Sequence, residues 1–158
     1  MTYCDSSFLT SLYVTTDVFN PQARKETARF TKAIPYTLLN EIEILNVLHR
    51  GLGSGSLDQT SHDAIVREID TDEAEGLLER AALNQIKLYD KARELSKKHT
   101  PSLACRLLDI LHVASALILG ARKFASFDHR QRLLADVVGL RLVPSSVPKQ
   151  PRNPSQTL

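Results

Sequence analysis

Three aspartates stand at positions where their charge and their neighbours could support metal chemistry. Asp109 lies inside residues 107–119, a run that is apolar almost throughout and predicts a buried helix. A lone carboxylate there would cost several kcal/mol, or stay protonated, unless a cation or a set of donors receives it. Asp5 and Asp128 each follow a short apolar segment and precede a helix-like stretch. We expect these three acids to converge on a divalent cation.

The ligand type predicts which cation this would be. Carboxylates brought within about 4 to 6 Å of one another repel unless a cation neutralises them. Oxygen ligands select a hard ion, and Mg²⁺ or Mn²⁺ would keep open positions for a phosphate oxygen and an attacking water. No His and Cys arrangement in the sequence suggests zinc. The pattern therefore favours metal-assisted hydrolysis of a phosphate ester.

Two of the acids also have a simpler structural explanation. Asp5 could cap the helix that starts at Ser6, and Asp128 could cap the next helix with Gln131 at the reciprocal position. For either acid taken alone, capping is the more frequent role. Their positions after strands favour a site, because open α/β sheets bind ligands beyond the carboxyl ends of their strands. Capping is not expected for Asp109, which lies within its predicted helix.

A fourth acid is expected from the helix that follows Thr37. It offers Glu41 and Glu43, which lie roughly 200° apart around a helix, so only one of them can face the site. Periodicity does not decide between them, and solvation of both is equally compatible. His112 shares a face with Asp109, three residues earlier. A histidine in such apolar surroundings is more often a core residue than a ligand.

Short strands alternate with helices along the chain. Strands are predicted at residues 1–5, 32–36, 123–127 and 140–143, and residues 58–98 are predicted as two or three helices. The helix after Thr37 is expected to end at Arg50, before Gly51, and a later helix at His99, before Pro101. This alternation predicts an α/β fold: a three-layer α/β/α sandwich with a short, mostly parallel sheet.

Length and composition predict one domain. We expect a domain over residues 1–144 and a flexible Pro-rich tail over residues 145–158. Cys4 and Cys105 are expected to be reduced, buried thiols. The apolar run around Asp109 is shorter than the roughly 20 residues of a membrane span, and no signal-peptide pattern opens the sequence. A cytoplasmic protein without a membrane partner is therefore expected, and the net charge of +2 by itself says little about nucleic acid.

With these residues in place, the chain resembles the PIN-domain ribonucleases, in particular the toxins of VapBC-type toxin–antitoxin pairs. The resemblance covers most of the chain and rests on four segments in the family's order: Tyr3-Cys4-Asp5-Ser6-Ser7, Glu43-Ile44-Leu45-Asn46, Asp109-Ile110-Leu111-His112-Val113-Ala114-Ser115-Ala116 and Ser126-Phe127-Asp128-His129-Arg130-Gln131. It implies an α/β/α fold, Mg²⁺- or Mn²⁺-dependent cleavage of RNA, a homodimer, and neutralisation by a cognate antitoxin. Residues 51–100 match only loosely.

The resemblance also implies a set of site residues. It selects Glu43 over Glu41, since the family's glutamate is commonly followed by an asparagine that corresponds to Asn46. Ser126 stands where relatives usually carry threonine, and its hydroxyl could position water or substrate. The implied catalytic and metal-binding residues are Asp5, Glu43, Asp109 and Asp128. The implied positioning residues are Ser126, Asn46 and Arg130.

The resulting hypothesis is that the four carboxylates hold one or two ions and activate a water for in-line attack. Arg130, Arg132 or Lys123 would grip the flanking phosphates. An alternative is a catalytically degenerate PIN-like module that only binds RNA or a protein. A receiver-type phosphotransfer domain also gathers acids around Mg²⁺, but it expects paired acids after the first strand, whereas Asp5 stands alone.

Overall fold

The computed structural model describes residues 1–147. Residues 148–158, which form most of the predicted tail, lie outside the described residues. The strands are β1 (Thr2–Cys4), β2 (Ile34–Tyr36), β3 (Leu78–Arg80), β4 (Lys123–Ala125) and β5 (Arg141–Val143). The helices are α1 (Ser6–Tyr13), α2 (Asn20–Thr27), α3 (Leu38–Ser54), α4 (Gln59–Ala74), α5 (Gln85–Leu103), α6 (Leu107–Ile118) and α7 (His129–Val137).

Every strand pair in the described residues is parallel. β4 lies between β1 and β5, and β2 pairs with β3. β1 and β2 lie side by side without a continuous hydrogen-bond ladder between them. Because all strands point the same way, their carboxyl ends meet at one edge, where the connections that follow β1 and β4 lie together.

Alternating side chains of the central strands enter two separate cores. Tyr3 of β1 and Phe124 of β4 belong to the core built with α5, α6 and α7. Their neighbours Cys4 and Ala125 belong to the core built with α1, α3 and α4. This is the consequence of successive strand residues pointing to opposite faces of a sheet. Helices cover both faces, and the predicted three-layer α/β/α sandwich is confirmed.

The stretch predicted as helices only contains a strand. β3 lies between α4 and α5, so the prediction for residues 58–98 is wrong at Leu78–Arg80. Only Leu78 of this strand is buried, whereas Glu79 and Arg80 are exposed. Three residues with a single apolar position give no period-2 signal, and the flanking helical periodicity dominates the sequence pattern.

Two helices continue past the residues predicted to end them. α3 runs through Gly51 and ends at Ser54, followed by the capping residue Gly55, whose φ of 72° suits glycine. A Cβ on Gly51 would lie 3.0 Å from the Cβ of Leu57, so this glycine permits a close approach of the following loop rather than ending the helix. α5 likewise includes Pro101 in its last turn and ends at Ala104, which has a φ of 50°.

Cys4 and Cys105 are both free and buried, as expected. Within residues 1–147, no helix combines the length and the apolar character that crossing a membrane requires.

Candidate active site

A cavity of about 730 Å³ opens at the carboxyl ends of the strands. Ser6 and Ser7 line it from the start of α1, and Phe127 and Asp128 line it from the β4–α7 connection. The opposite wall consists of α3 residues and the first turn of α6: Leu39, Ile42, Glu43, Asn46, Val47, Arg50 and Leu108. Two of the four predicted acids, Glu43 and Asp128, therefore line the same cavity.

Asp5 lies beneath this cavity, fully buried directly after β1. It caps α1 by accepting a hydrogen bond from the Phe8 amide at 2.8 Å. The Ser7 hydroxyl donates to both carboxylate oxygens, at 2.8 and 3.0 Å, and the Ser126 hydroxyl donates to Oδ2 at 2.6 Å. Burial raises the pKa of Asp5 above its ordinary value, although the charge of His112 and these hydrogen bonds oppose the rise. Burial therefore outweighs both the hydrogen bonds and the charge of His112 at Asp5.

Asp128 caps α7 and is linked to Asp5 through one serine. Its Oδ1 accepts from the amides of Arg130 and Gln131 at 2.8 and 3.0 Å. Its own amide donates to the Ser126 hydroxyl at 2.9 Å, and that hydroxyl donates to Asp5. In the predicted capping box, the Gln131 side chain would accept a hydrogen bond from the Asp128 amide. This bond is not formed, because the Asp128 amide donates to the Ser126 hydroxyl instead. Ser126 therefore fixes both aspartates relative to each other.

Glu43 and Glu41 leave α3 on different sides. The Glu43 Oε2 accepts hydrogen bonds from the Ser6 hydroxyl, at 2.7 Å, and from the Nε2 of His112. Glu41 accepts from Arg80 at 2.7 Å, on the exposed side of β3. The 200° separation expected from helix geometry is what sends the two glutamates apart. The structure brings Glu43, and not Glu41, to the cavity.

His112 joins the core to the site. It is fully buried, as a core histidine would be, yet its Nε2 contacts Glu43 and its Nδ1 lies 2.9 Å from the Tyr3 hydroxyl. Because an ionised carboxylate can only accept, Nε2 is the donor in the pair with Glu43. Burial raises the pKa of Glu43, but the hydrogen bond and charge of His112 outweigh burial, so the net pKa lies below its ordinary value. Glu43 already has a hydrogen-bond donor inside the protein.

Asp109 is a helix-capping residue, contrary to the expectation that capping could not account for it. α6 begins at Leu107, so Asp109 lies in the first turn, where its Oδ2 accepts from the Arg106 amide at 2.8 Å. The side chain is buried, although Leu107 and Leu108 before it are exposed. Asp109 does not itself line the cavity; Leu108 does, and His112, on the face of Asp109, contacts Glu43.

The predicted positioning residues occupy different places. Asn46 lines the cavity one turn after Glu43, and Arg130 is exposed at the start of α7, directly after the cavity-lining Asp128. Arg50 also lines the cavity and was not predicted. Helical spacing contains the signal for it, because positions 43, 46 and 50 follow the i, i+3, i+7 pattern of one helix face.

Two cations predicted to grip phosphates do not lie where that role requires. Arg132 is buried and donates to the backbone carbonyls of Ser126 and Pro144, each at 2.9 Å. It braces the ends of β4 and β5 instead of facing solvent. Lys123 begins β4 and so lies at the amino edge of the sheet, away from the cavity at the carboxyl edge. Arg130 and Arg50 remain available at the cavity.

The donor set suits a hard divalent ion, although the side chains do not converge as they lie. No group of three or more His, Cys, Asp and Glu side chains within residues 1–147 is arranged to hold a metal. Each acid has protein donors, but Glu43, Asp109 and Asp128 each use one carboxylate oxygen for them. The second carboxylate oxygens of these residues and the carboxylate of Asp5 are oxygen ligands, which Mg²⁺ and Mn²⁺ prefer.

Comparisons with known proteins agree with this architecture. A family model for the PIN domain matches residues 2–137. No curated protein matches the chain. Among solved structures, the chain is similar to the crystal structure of Mycobacterium tuberculosis VapC20, a Sarcin-Ricin loop cleaving toxin. The TM-score is 0.65 at 16% sequence identity, over 84% of this chain and 94% of that chain, a likeness that shows a common fold. Because the family model spans most of the 158 residues, this chain belongs to the PIN domain family.

Proposed function

We propose that this chain is a divalent-metal-dependent endoribonuclease that hydrolyses RNA phosphodiester bonds, and that it is the toxin of a toxin–antitoxin pair. The observation that carries the proposal is the gathering of acids at one edge of the sheet. Glu43 and Asp128 line one cavity, and Ser126 links Asp128 to the buried Asp5. These residues come from three distant parts of the sequence. Membership of the PIN domain family and the fold shared with an RNA-cleaving toxin support the same reading.

Asp5, Glu43, Asp109 and Asp128 would hold the metal, which is Mg²⁺ or Mn²⁺. When bound, such an ion neutralises charge on the phosphate and lowers the pKa of a coordinated water. The buried Asp5 supplies a reason for a cation to bind here, because burial disfavours its ionised form.

The protein's own residues would orient the substrate and the acids. Ser126 and Ser7 hold Asp5 through their hydroxyls, and His112 holds Glu43. Asn46 offers an amide in the cavity wall, where it could hydrogen-bond a ribose or a water. Arg50 lines the cavity and Arg130 is exposed beside it, so these side chains are suited to contact phosphates on either side of the cleaved bond.

The partners follow from the same proposal. A toxin of this class would have a cognate antitoxin, would form a homodimer and would act in the cytoplasm. The exposed apolar residues at the cavity rim, Ile42 and Leu108, would be candidates for contact with an antitoxin.

A second candidate is a catalytically degenerate PIN-like module that binds RNA or a protein without cutting. The observation in its favour is that every predicted acid already has hydrogen-bond donors and that no metal-holding group is formed among the described side chains. In such a protein the acids would be helix caps and the His112–Glu43 pair a structural contact.

The test is incubation of the purified protein with total RNA, with Mn²⁺ and with a chelator. We expect discrete fragments that appear only with metal. Asp5→Asn should abolish cleavage while the protein still folds, because asparagine also caps helices. Asp109→Asn should do the same, with folding checked by circular dichroism.

A catalytically degenerate module would bind the RNA without producing fragments under either condition. Cleavage by both variants at the parent rate would contradict the assignment of the acids. Isothermal titration of Mn²⁺ into the metal-free protein separates the two candidates further, since a structural set of caps has no reason to bind the ion.

A further inference from the structure

A second groove lies next to the active-site cavity, between α5 and the first turn of α6. We call it the α5–α6 groove. It has a volume of about 610 Å³. Its lining residues are Tyr89, Ala92, Arg93, Ser96, Lys97, Leu107 and Ile110.

The α5 side of this groove presents a ring followed by two cations. Tyr89, Arg93 and Lys97 are spaced four residues apart, so they lie along one face of the helix. Tyr89 is 56% exposed, and Leu107 on the facing helix is 65% exposed. An exposed aromatic ring beside positive side chains is the combination that single-stranded nucleic acids use, since bases stack on the ring and phosphates meet the cations.

The charge of the lining has one sign. Arg93 and Lys97 line the groove, and no carboxylate is among the described lining residues. Arg93 pairs with Asp90 at 3.6 Å, and the side chains of Arg93 and Asp90 are 82% and 62% exposed, respectively. Such exposed pairs hold little energy, so Arg93 is free to exchange this partner for a phosphate.

The groove continues the active-site cavity. Leu107 lines the groove and Leu108 lines the cavity, and these consecutive residues point about 100° apart on the first turn of α6. This turn is therefore the ridge between the two depressions. Arg106, which precedes it, is exposed on the same ridge. The cavity and the groove therefore lie on the two sides of this turn.

We propose that the α5–α6 groove binds single-stranded RNA that flanks the cleaved bond, with Arg93 and Lys97 on its phosphates and Tyr89 stacked on a base. This inference rests on the proposed ribonuclease function and adds a second contact region to it. A protein partner, including a second copy of the chain, is the competing occupant that the test distinguishes.

The experiment compares two labelled RNAs in chelator, where the intact protein cannot cut them. One is a tetranucleotide, long enough for the cavity alone, and the other has about 16 nucleotides. Binding is followed by fluorescence anisotropy over a range of salt concentrations. The variant is Arg93→Ala combined with Lys97→Ala. Its matched control is Lys91→Ala combined with Lys98→Ala, which removes the same charge from α5 residues that line a different depression.

We expect the Arg93 and Lys97 pair to matter for the long RNA alone. Loss of two phosphate contacts should weaken its binding by about 10- to 30-fold at 0.1 M salt and lower the salt slope by about 1.4. The tetranucleotide should bind both double variants like the parent. Tyr89→Ala should weaken the long RNA by roughly fivefold or more, whereas Tyr89→Phe, which keeps the ring, should not.

Equal losses of affinity for the long RNA in the two double variants would indicate general electrostatic attraction and would overturn the proposed role of the groove. Unchanged binding of the long RNA by the Arg93→Ala and Lys97→Ala double variant would also overturn it. If the protein still cuts RNA with metal in that case, the proposed ribonuclease function would stand. If the parent protein binds neither RNA, both proposals fail. A shift of the oligomeric state in sedimentation, with unchanged RNA binding, would assign the groove to a second copy of the chain.

Discussion

The two walls of the active site hold their carboxylates in different ways. The strand-end wall consists of Asp5, Ser126 and Asp128, and its acids are fixed by backbone amides and serine hydroxyls. On the helix wall, Glu43 lines the cavity and is held by the buried His112 behind it, on the same face of α6 as Asp109. The strand-end wall uses backbone amides and hydroxyl groups as donors, and the helix wall uses the imidazole of His112.

This difference appears in the pKa values of Asp5, which is buried, and of Glu43, which is partly buried. Burial raises the pKa of Asp5, while the contact with His112 brings the pKa of Glu43 below its ordinary value despite burial. Burial therefore dominates the pKa of Asp5, whereas the contact with His112 outweighs burial at Glu43.

The largest effect is expected from the two glutamates of α3. Glu43→Gln should lower the rate of RNA cleavage by about 100-fold or more, because it removes a proposed metal ligand and its charge. Glu41→Gln is the matched control on the same helix. It loses only the exposed pair with Arg80, so its rate should stay within about twofold of the parent. A similar loss of cleavage rate in both variants would show that Glu43 has no special role in the site.

Removal of the Ser126 hydroxyl tests the strand-end wall. Ser126→Ala loses the bonds to Asp5 and to the Asp128 amide, which should lower the free energy of unfolding by about 1 to 3 kcal/mol. Cleavage should slow by about tenfold, since the two aspartates are no longer fixed relative to each other. Ser126→Thr keeps the hydroxyl and should retain most activity. A threonine variant as slow as the alanine variant would point to packing instead of hydrogen bonding.

A smaller effect is expected at the far end of the helix wall. Tyr3→Phe removes the hydroxyl next to the Nδ1 of His112, so His112 is held less firmly against Glu43. The affinity for Mn²⁺ should fall by about fivefold in calorimetric titration. Tyr13→Phe is the control, because Tyr13 is equally buried and loses its bond to Asp72. If both variants bind Mn²⁺ alike, the Tyr3 contact does not act on the site.

The smallest effects concern pH in the metal-free protein. Because the pKa of Asp5 is raised, the stability it contributes is present below the ordinary value of 3.8 and is lost as pH rises through its folded-state pKa. Glu43, with a lowered pKa, contributes stability above 4.5 that is lost as pH falls. Urea unfolding in chelator should thus show that Asp5→Asn flattens the decline towards higher pH. Glu43→Gln should flatten the decline towards lower pH. If the two variants show the same dependence of the free energy of unfolding on pH, the two walls do not differ in this way.

The strand-end wall was largely predictable from the sequence. Asp5 and Asp128 each follow a short apolar strand, and parallel strands end at a common edge, so their closeness follows from topology. The structure adds that Ser126 connects them. Ser126 and Asp5 are 121 positions apart in the sequence, and no local sequence pattern predicts their contact.

The helix wall was less predictable. The pair between His112 and Glu43 joins two helices 69 positions apart, whereas periodicity describes only which residues share a face of one helix. The capping role of Asp109 was missed because Leu107 and Leu108 extend the apolar run to the helix start, and no Ser, Thr, Asp or Asn marks its beginning at Arg106. β3 was missed because it has one buried residue.

The brace formed by Arg132 has a practical consequence for labelling this protein. Its guanidinium group holds the Pro144 carbonyl just after β5, so the polypeptide leaves the sheet on the side where the proposed chemistry takes place. The first residue, by contrast, precedes β1 at the reverse side, where its carbonyl accepts from the Arg122 amide. A purification tag or fluorophore joined to Met1 would therefore start on the side of the sheet opposite to the cavity, well away from an incoming RNA.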